Sequence, residues 1–412
     1  MPETLAPVNG IRMFTNLFSA REQHKTNSNI LIDVTRLLGR FMKGRLPTGV
    51  DRVCLAYIRR YGSHARVLLH WGGLGWVLPH RASQELFCLL IGPHENFRRK
   101  ASAIIACSPP LPLPDQKKKR TLLFNIGHSG LERPGYAAWI ARKNLRSLFM
   151  VHDLIPITHH EYCRSGELQR HEIRMDAVLR AAAAIVANSQ ATLDELKAFA
   201  DSRSLPLPPS AVAHLASGIS QEAVQVPPPH RSPYFVMLGT IEPRKNHFMM
   251  LHIWRSLVER LGHAAVPHLV IIGQRGWECE NAVDLLERCE ALKGMVTELP
   301  SCSDSELASW LGNARALLFP SMTEGYGLPL VEALALRTPV IASDLPVFRE
   351  IAGNVPDYLD PLDGLGWQEI IEDYSRPDSM LRAAQMDRLE NFSPPTWKQH
   401  FVAIDRLLEG IA

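Results

Sequence analysis

Short apolar runs rich in β-branched residues alternate with longer stretches of helical periodicity along the chain. The apolar runs predict strands at 30–34, 66–70, 121–125, 147–153 and 183–189 in the first half, and at 234–240, 268–274, 316–320 and 339–344 in the second. Helical periodicity between them predicts helices that include 50–61, 165–181, 246–262, 304–313 and 329–337. This alternation is typical of α/β proteins with parallel sheets. Two such series in succession predict two Rossmann-like domains.

The boundary between the two predicted domains is marked by proline. Residues 201–233 contain seven prolines, which is the composition of a semi-rigid linker. We expect a first domain at 1–228, a second at 229–395, and a C-terminal helix within 396–412 that packs back on the first domain. The hinge itself is expected near 226–233.

Size and composition indicate a globular protein. With 412 residues, 46% hydrophobic and 21% charged, the chain is long enough for two cores. No apolar run has the length of a membrane span, and the first residues lack the pattern of a signal peptide. Seven scattered cysteines without a C-x-x-C pair favour reduced thiols over disulfides or a zinc site. We therefore expect a cytoplasmic protein.

The net charge of +3 conceals an uneven distribution. Residues 1–230 carry 29 Lys and Arg against 17 Asp and Glu, whereas residues 231–412 carry 16 against 25. A basic first half suggests an anionic partner, such as a phosphorylated acceptor or an acidic membrane surface, although a solvated surface without a partner explains it equally well. A second proline-rich stretch, 108–120, ends in the basic run 117–120. No nucleic-acid-binding motif accompanies the charge, so nucleic acid is not expected.

Two adjacent cations follow the predicted strand 234–240. Arg244 and Lys245 lie in the segment IEPRKNH, before the next helix. In open α/β sheets ligands bind at the carboxyl ends of strands. Cations near a helix start are slightly unfavourable unless they have a ligand, and a guanidinium beside an ammonium suits a diphosphate.

A glycine-rich turn follows the predicted strand 316–320, in the segment SMTEGYGLPLVEAL. Gly325 and Gly327 permit close backbone approach to a ligand, and Pro329 suits the first helical position. The N–H groups of Gly327, Leu328 and Leu330 are expected to remain free for a phosphate, with Glu332 in the first helical turn.

Glu324 and Glu332 flank this turn, although carboxylates repel phosphate. Because carboxylates only accept hydrogen bonds, they prefer hydroxyl groups. Glu332 is suited to a ribose diol and Glu324 to a sugar diol, with the cations of the other strand holding a diphosphate between them. The ligand predicted by this set is a nucleotide sugar.

Histidines follow two strands of the first domain. His152 and Asp153 end the strand 147–153, where we expect a role in the cleft, with a structural hydrogen bond as the alternative. His128 follows the strand 121–125, and Ser189 is explained by helix capping alone. No H-E-x-x-H motif, nucleophile elbow or P-loop occurs, so neither a metal site nor hydrolase chemistry is expected.

These segments together resemble retaining glycosyltransferases of the GT-B fold, family 4 (group 1), and the resemblance implies that the two Rossmann-like domains face a central cleft. Glu324 and Glu332 match the E-x7-E motif, EPRKN the diphosphate loop, VHDLIP the His-Asp segment, and PTGVDRV the N-terminal glycine loop, in which the usual Gly-Gly is reduced to Thr48-Gly49. The resemblance implies catalysis by His152, Glu324, Arg244 and Lys245, and weaker acceptor contacts by His128 and Asp153. It implies donor binding by Gly49, Arg244, Lys245, Glu324, Gly325, Tyr326, Gly327, Leu328 and Glu332.

The resemblance implies transfer of a hexose, with mannose as a candidate, from a GDP- or UDP-sugar without a metal or cofactor. The expected acceptor is a lipid-linked saccharide of bacterial surface polysaccharide or lipopolysaccharide synthesis, reached at the inner membrane face. Two alternatives stay open: another GT-B enzyme such as a nucleotide-sugar epimerase, and a non-catalytic nucleotide-sugar-binding protein.

Overall fold

The computed structural model describes residues 29–411 apart from 72–73, 93–94, 110, 112–120, 134, 220–221, 223, 225–229 and 231. The N-terminal segment, the basic run 117–120 and most of the predicted hinge 226–233 therefore lie outside the described residues.

The first domain is built on a seven-stranded sheet in the order β3-β2-β1-β4-β5-β6-β7. Its strands are β1 Asn29–Asp33, β2 Ala65–Trp71, β3 Leu74–Val77, β4 Thr121–Asn125, β5 Arg146–Val151, β6 Ala182–Ala187 and β7 Ser210–Val212. All neighbours pair in parallel except β2 with β3. Strand β4, TLLFN, is buried at every position, as expected for a parallel strand covered on both faces.

The second domain is built on a six-stranded parallel sheet in the order β10-β9-β8-β11-β12-β13. Its strands are β8 Tyr234–Leu238, β9 His268–Ile272, β10 Val296–Leu299, β11 Leu317–Phe319, β12 Val340–Ser343 and β13 Asp357–Leu359.

Helices cover both sheets. Those of the first domain are Thr35–Phe41, Gly49–Tyr61, His80–Ile91, Phe97–Ala106, Tyr136–Arg142, Ile155–Thr158, Glu167–Ala181 and Gln190–Ser202. The remainder are His247–Leu261, Glu280–Arg288, Asp304–Gly312, Leu328–Ala335, Pro346–Ala352, Gly364–Ser375, Met380–Glu390 and Trp397–Glu409. Capping boxes start three of them, at Thr48, Ser303 and Thr396. Within the described part of the chain, no helix is both long and apolar enough to cross a membrane.

The strand order reverses at one point in each sheet. In the first sheet the chain moves outward in opposite directions from β1 and β4, and in the second from β8 and β11. Such switch points leave a crevice at the carboxyl ends of the two central strands, where ligands of open α/β sheets bind. The segments after β8 and β11, which hold the predicted cations and the glycine-rich turn, therefore lie at the crevice of the second domain.

The helix Trp397–Glu409 packs on the first domain. The ring of Phe401 lies 5.3 Å from Tyr57 and 5.6 Å from Tyr61 between centroids. Asp405 accepts hydrogen bonds from Arg60 and from the Tyr61 hydroxyl, at 3.0 and 2.9 Å. The last helix thus completes the aromatic core around the helix Gly49–Tyr61.

Candidate active site

The cationic loop after β8 is held by a short 3-10 turn, Pro243–Lys245. Asn246 follows in the left-handed region, with φ 58°, and its side-chain amide donates to the carbonyl oxygen of Pro361 at 2.8 Å. Asparagine is among the few residues that tolerate this conformation. The turn directs Arg244 and Lys245 toward the segment after β11.

Arg244 and Lys245 converge on Glu324. The Lys245 ammonium donates to the Glu324 carboxylate, Arg244 Nη1 lies 2.9 Å from Glu324 Oε2, and the Ser321 hydroxyl donates to Oε1 at 2.8 Å. Burial alone would raise the pKa of Glu324, but the two cations and these hydrogen bonds lower it to about 2. Glu324 is therefore ionised throughout the neutral range and can only accept hydrogen bonds.

A second acidic residue, Glu242, also pairs with Arg244. Arg244 Nε lies 2.6 Å from Glu242 Oε1, and Nη1 donates to the Thr323 carbonyl at 3.1 Å. Burial lowers the pKa of Lys245, and Glu324 opposes that shift. The Lys245 ammonium also lies 4.9 Å from the centre of the Phe319 ring. Fixed by these contacts, the two cations offer preorganised positive charge at the crevice.

The glycine-rich turn closes against the first domain. A Cβ atom on Gly325 would lie 2.3 Å from the carbonyl oxygen of His152 and 2.6 Å from Asp153 Cβ. The Tyr326 hydroxyl donates to the Leu215 carbonyl at 2.6 Å. Gly327 has φ 97°, and a Cβ there would lie 2.6 Å from the Phe348 ring. Both glycines are therefore required, one by the facing domain and one by backbone conformation.

The helix after the turn differs from expectation in three details. It begins at Leu328, so that Pro329 is its second residue. The Leu330 N–H donates to the Gly327 carbonyl at 3.0 Å, so the expectation that it stays free for a ligand was wrong. Glu332 is the fifth helical residue and lies in the second turn, not the first. The left-handed Gly327 explains the shift, because it lets the helix start one residue earlier.

Glu332 is buried and pairs with the first domain. Its Oε1 accepts a hydrogen bond from Arg52 Nη1 at 2.8 Å, and Arg52 Nη2 donates to Asp304 at 2.6 Å. Burial raises the pKa of Glu332 to about 7, although Arg52 opposes the shift. At the same edge, a Cβ on Gly49 would lie 3.0 Å from Leu328 Cδ1. Gly49 and Arg52 of the first domain thus contact Leu328 and Glu332 of the second across the cleft.

His152 and His128 are neutral and hold fixed orientations. His152 Nε2 donates to the Ile126 carbonyl, and His128 Nε2 to the Met150 carbonyl, both at 2.7 Å. Because a carbonyl only accepts, Nε2 carries the proton in each ring and Nδ1 remains an acceptor. Burial lowers the pKa of both histidines, and their ring centres lie 5.3 Å apart.

Asp153 organises its own loop. Its carboxylate accepts from the Ile155 N–H at 3.3 Å, and its carbonyl accepts from His171 Nε2 at 3.1 Å. The His152 ring is oriented by the Ile126 carbonyl instead. The Asp153 carboxylate therefore contacts its own loop rather than the His152 ring.

Two hydroxyl side chains hold the glycine-rich turn: Thr192, in the helix Gln190–Ser202, and Ser189, the residue before that helix. Ser189 and Thr192 each donate from the hydroxyl to the Gly325 carbonyl at 3.1 Å. Ser189 also caps this helix by accepting from the Thr192 N–H at 3.0 Å. Ser189 therefore both caps the helix and contacts the cleft.

Arg52 and Glu242 also belong to the site but were not predicted, although both lie in the segments PTGVDRV and IEPRKNH. Arg52 is the fourth residue of the helix Gly49–Tyr61, where a cation is unfavourable without a partner. The same reasoning identified Arg244 and Lys245, so a signal for Arg52 was present. Among the described residues, no group of three or more His, Cys, Asp or Glu side chains is arranged to hold a metal ion.

The fold defines the class of this protein. The structure of Anabaena HepE in complex with UDP matches with a TM-score of 0.61 at 14% identity, covering 93% of this chain and 98% of its own. The sucrose-phosphate synthase of Thermosynechococcus elongatus matches with a TM-score of 0.57 at 13% identity, covering 93% and 99%. At these identities the likeness shows the fold alone, and the predicted GT-B fold is confirmed.

Part of the second domain is similar in sequence to a known family. Residues 219–355 match the model described as "Glycosyl transferases group 1", and this segment contains Arg244, Lys245, Glu324 and Glu332. The predicted resemblance to GT-B glycosyltransferases of group 1 is thereby confirmed.

Two bacterial relatives share parts of the chain. The serotype-specific mannosyltransferase WbdA of Escherichia coli is 28% identical over 270 residues, which are 61% of this chain and 32% of WbdA. The O-antigen chain mannosyltransferase RfbU of Salmonella typhimurium is 44% identical over 156 residues, which are 36% of this chain and 40% of RfbU. The match thus spans about a third of WbdA and two fifths of RfbU.

Proposed function

We propose that this protein is a retaining, metal-independent glycosyltransferase that moves a hexose from a nucleoside diphosphate sugar to an acceptor hydroxyl. Mannose from GDP-mannose is the first candidate, because the relatives WbdA and RfbU are named mannosyltransferases. A UDP-sugar is the alternative donor, since HepE was solved with UDP. The proposed setting is bacterial surface polysaccharide synthesis.

One observation carries this proposal: Arg244 and Lys245 converge on Glu324 at the switch point of the second sheet. A diphosphate placed here would share both cations, and a sugar hydroxyl would donate to Glu324. As the bond to the sugar breaks, negative charge grows on the departing phosphate, and cations already fixed in place stabilise it without reorganisation. His152 Nδ1, held as an acceptor, would receive a sugar hydroxyl from the opposite domain.

A buried, closed cleft favours transfer over hydrolysis. Gly325 touches the first domain without room for a side chain, so the two domains are in close contact beside Glu324. Excluding water strengthens the electrostatic contacts and suppresses attack by water on the donor. We propose that the first domain supplies the acceptor hydroxyl, with His128 and Asp153 near its path.

We further propose a lipid-linked saccharide acceptor and peripheral contact with an anionic membrane. Five exposed cations lie in the loop 42–48 and at the start of the helix Phe97–Ala106, and none forms an ion pair within the described part of the chain: Lys43, Arg45, Arg98, Arg99 and Lys100. The Phe41 and Phe97 rings join the two segments, with centroids 5.6 Å apart. Exposed cations beside apolar side chains suit an anionic lipid surface.

Donor binding and transfer are tested together. Thermal shift with GDP-mannose, UDP-glucose and related sugars should show stabilisation by at least one donor, and that donor should release its nucleoside diphosphate when a saccharide acceptor is added. Lys245→Ala should abolish transfer, whereas Lys293→Ala, which removes an exposed lysine paired with Glu290, should leave it unchanged. Retained transfer in Lys245→Ala would refute the assigned site.

The alternatives give different outcomes in the same experiment. Binding without release of nucleotide would favour a non-catalytic nucleotide-sugar-binding protein, and conversion of the donor to its epimer would favour an epimerase. An α-linked product from an α-linked donor, measured by NMR of the anomeric proton, would establish retention. Transfer in the presence of a chelator would establish metal independence.

Membrane contact is tested with vesicles. Binding to vesicles that contain anionic phospholipid should weaken with added salt and with the double substitution Arg98→Glu and Arg99→Glu. Arg81→Glu is the matched control, because Arg81 is equally exposed on another helix, where it pairs with Glu85. Absence of binding at low salt would exclude this surface as a membrane contact.

A further inference from the structure

Arg52 links the two domains at the position proposed for the donor ribose. It belongs to the helix Gly49–Tyr61 of the first domain, and both of its partners, Glu332 and Asp304, belong to the second. The Arg52 side chain is 26% exposed and that of Glu332 5%, whereas Asp304 is 65% exposed. The contact with Glu332 is therefore the buried one, and Asp304 steadies the guanidinium from the solvent side.

Arg52 is the one cation that acts on Glu332 among the described residues. Asp304 is the other charged group beside it, and the half-buried Cys302 thiol lies near both. The helix Pro346–Ala352, which packs against the Glu332 helix, carries two charged residues that are engaged elsewhere: Arg349 with Asp344, and Glu350 with His214. Without Arg52, Glu332 would face Asp304 and apolar neighbours alone.

The protonation state of Glu332 decides what it can bind. An ionised carboxylate accepts hydrogen bonds from a diol, whereas a protonated carboxyl must donate one of its own. A buried carboxylate without a cation takes up a proton rather than remain charged. Arg52 Nη1 contacts Oε1 of Glu332, and this single contact leaves Oε2 for a hydroxyl donor.

We propose that Arg52 is a positioning residue that holds Glu332 and favours its ionised form, so that the donor diol binds fully only while the first domain is closed on the second. This inference rests on the proposed nucleotide-sugar function and deepens it. Opening of the cleft withdraws Arg52 from Glu332, and the carboxylate then loses the cation that holds it ready for the diol. Donor affinity is thereby coupled to domain closure through one ion pair.

The coupling is tested by nucleotide binding as a function of pH. GDP and UDP would be titrated calorimetrically into the unmodified protein, Arg52→Ala, Arg52→Lys and Glu332→Gln between pH 6 and pH 9.5. Removing Arg52 should move the ionisation of Glu332 to higher pH. Each unit of that displacement lowers affinity about tenfold at the lower pH values. The affinities of Arg52→Ala and the unmodified protein should converge at the highest pH, and Arg52→Lys should restore much of the loss.

Two controls separate this role from a structural one. In a Glu332→Gln background, Arg52→Ala should cause no further loss of nucleotide affinity, because glutamine does not titrate. In the otherwise unmodified protein, the loss caused by Arg52→Ala should be smaller for 2′-deoxy-GDP, which lacks one ribose hydroxyl. Arg60→Ala removes another arginine of the same helix, one that pairs with Asp405 at 3.0 Å. It should lower stability without changing the pH profile of binding.

The outcomes distinguish the inference from the proposed function. If the unmodified protein binds a nucleotide but Arg52→Ala lowers affinity equally at every pH, has no effect, or raises affinity, this inference is overturned alone. A rise in affinity would mean that Arg52 competes with the ribose. If the unmodified protein binds no nucleoside diphosphate, the proposed function fails and the inference fails with it.

Discussion

Gly325 provides the most direct test of the closed cleft. Its φ lies outside the left-handed region, so alanine is compatible with its backbone. The cost of Gly325→Ala therefore comes from contact, because the new Cβ would lie 2.3 Å from the His152 carbonyl oxygen and 2.6 Å from Asp153 Cβ. Carbon atoms normally approach their neighbours no closer than about 3.5 Å. The two domains must separate locally by about 1 Å to admit one methyl group.

The magnitude follows from two contributions. Overpacking a tight contact costs roughly 1–3 kcal/mol. Separation also weakens the hydrogen bonds from Ser189 and Thr192 to the Gly325 carbonyl, each worth about 0.5–1.5 kcal/mol. A loss of about 2–3 kcal/mol in the closed state corresponds to a roughly 30- to 150-fold smaller closed population. The fold of the second domain itself should not change.

The assay combines shape and turnover. Gly325→Ala should increase the radius of gyration measured by small-angle X-ray scattering and should lower kcat/KM for sugar transfer by more than about tenfold. Gly364→Ala is the matched control, because a Cβ there meets no atom within 4 Å. Unchanged scattering and unchanged turnover in Gly325→Ala would refute the view that this contact holds the cleft closed.

Three further predictions concern stability. Because the pKa of Glu332 is raised from 4.5 to about 7, its contribution to folding is full below pH 4.5 and is lost as the pH rises to 7. The free energy of unfolding of the unmodified protein should therefore fall by about 3 kcal/mol over this pH range relative to that of Glu332→Gln, as measured by urea unfolding. Parallel pH curves for the two proteins would contradict this prediction. Gly327→Ala places a side chain at φ 97° and 2.6 Å from Phe348 and should cost about 2–4 kcal/mol, read as a lower Tm; an unchanged Tm would contradict the tight turn. Asp405→Ala removes the partner of Arg60 and Tyr61, and hydrogen exchange in Trp397–Glu409 should increase while the second sheet stays protected; equal exchange in both would exclude a local role.

The central strands of both sheets could be predicted from sequence, and the edges could not. All nine predicted strands exist. The four that were missed, β3, β7, β10 and β13, are the two edges of each sheet. Edge strands pair on one side only and are short, as in Ser210–Val212 and Asp357–Leu359, whose residues are all half-buried. Hydrophobic pattern is weak where burial is incomplete.

The same distinction holds for the site. Arg244, Lys245 and Glu324 could be predicted to meet because each follows a central strand, and parallel strands end at one edge of the sheet. Glu332 could be named, but its partner could not, because Arg52 lies 280 residues away and reaches it only when two domains pack together. Local geometry was predictable only in part, because Gly327 adopts the left-handed region. The helix therefore begins one residue earlier than predicted, and the Gly327 carbonyl accepts a hydrogen bond from the Leu330 N–H.

The return of the last helix to the first domain also has a mechanical consequence. His400 Nδ1 lies 3.2 Å from the Ala213 carbonyl oxygen, so the segment that leaves the first domain and the segment that comes back run side by side. Two adjacent chain connections between the domains should resist sliding and twisting of one domain against the other. Bending is then the easiest relative motion of the domains. We therefore expect the cleft to open by bending, a motion that would bring Arg52 back to Glu332 and Gly325 back to His152 on closure.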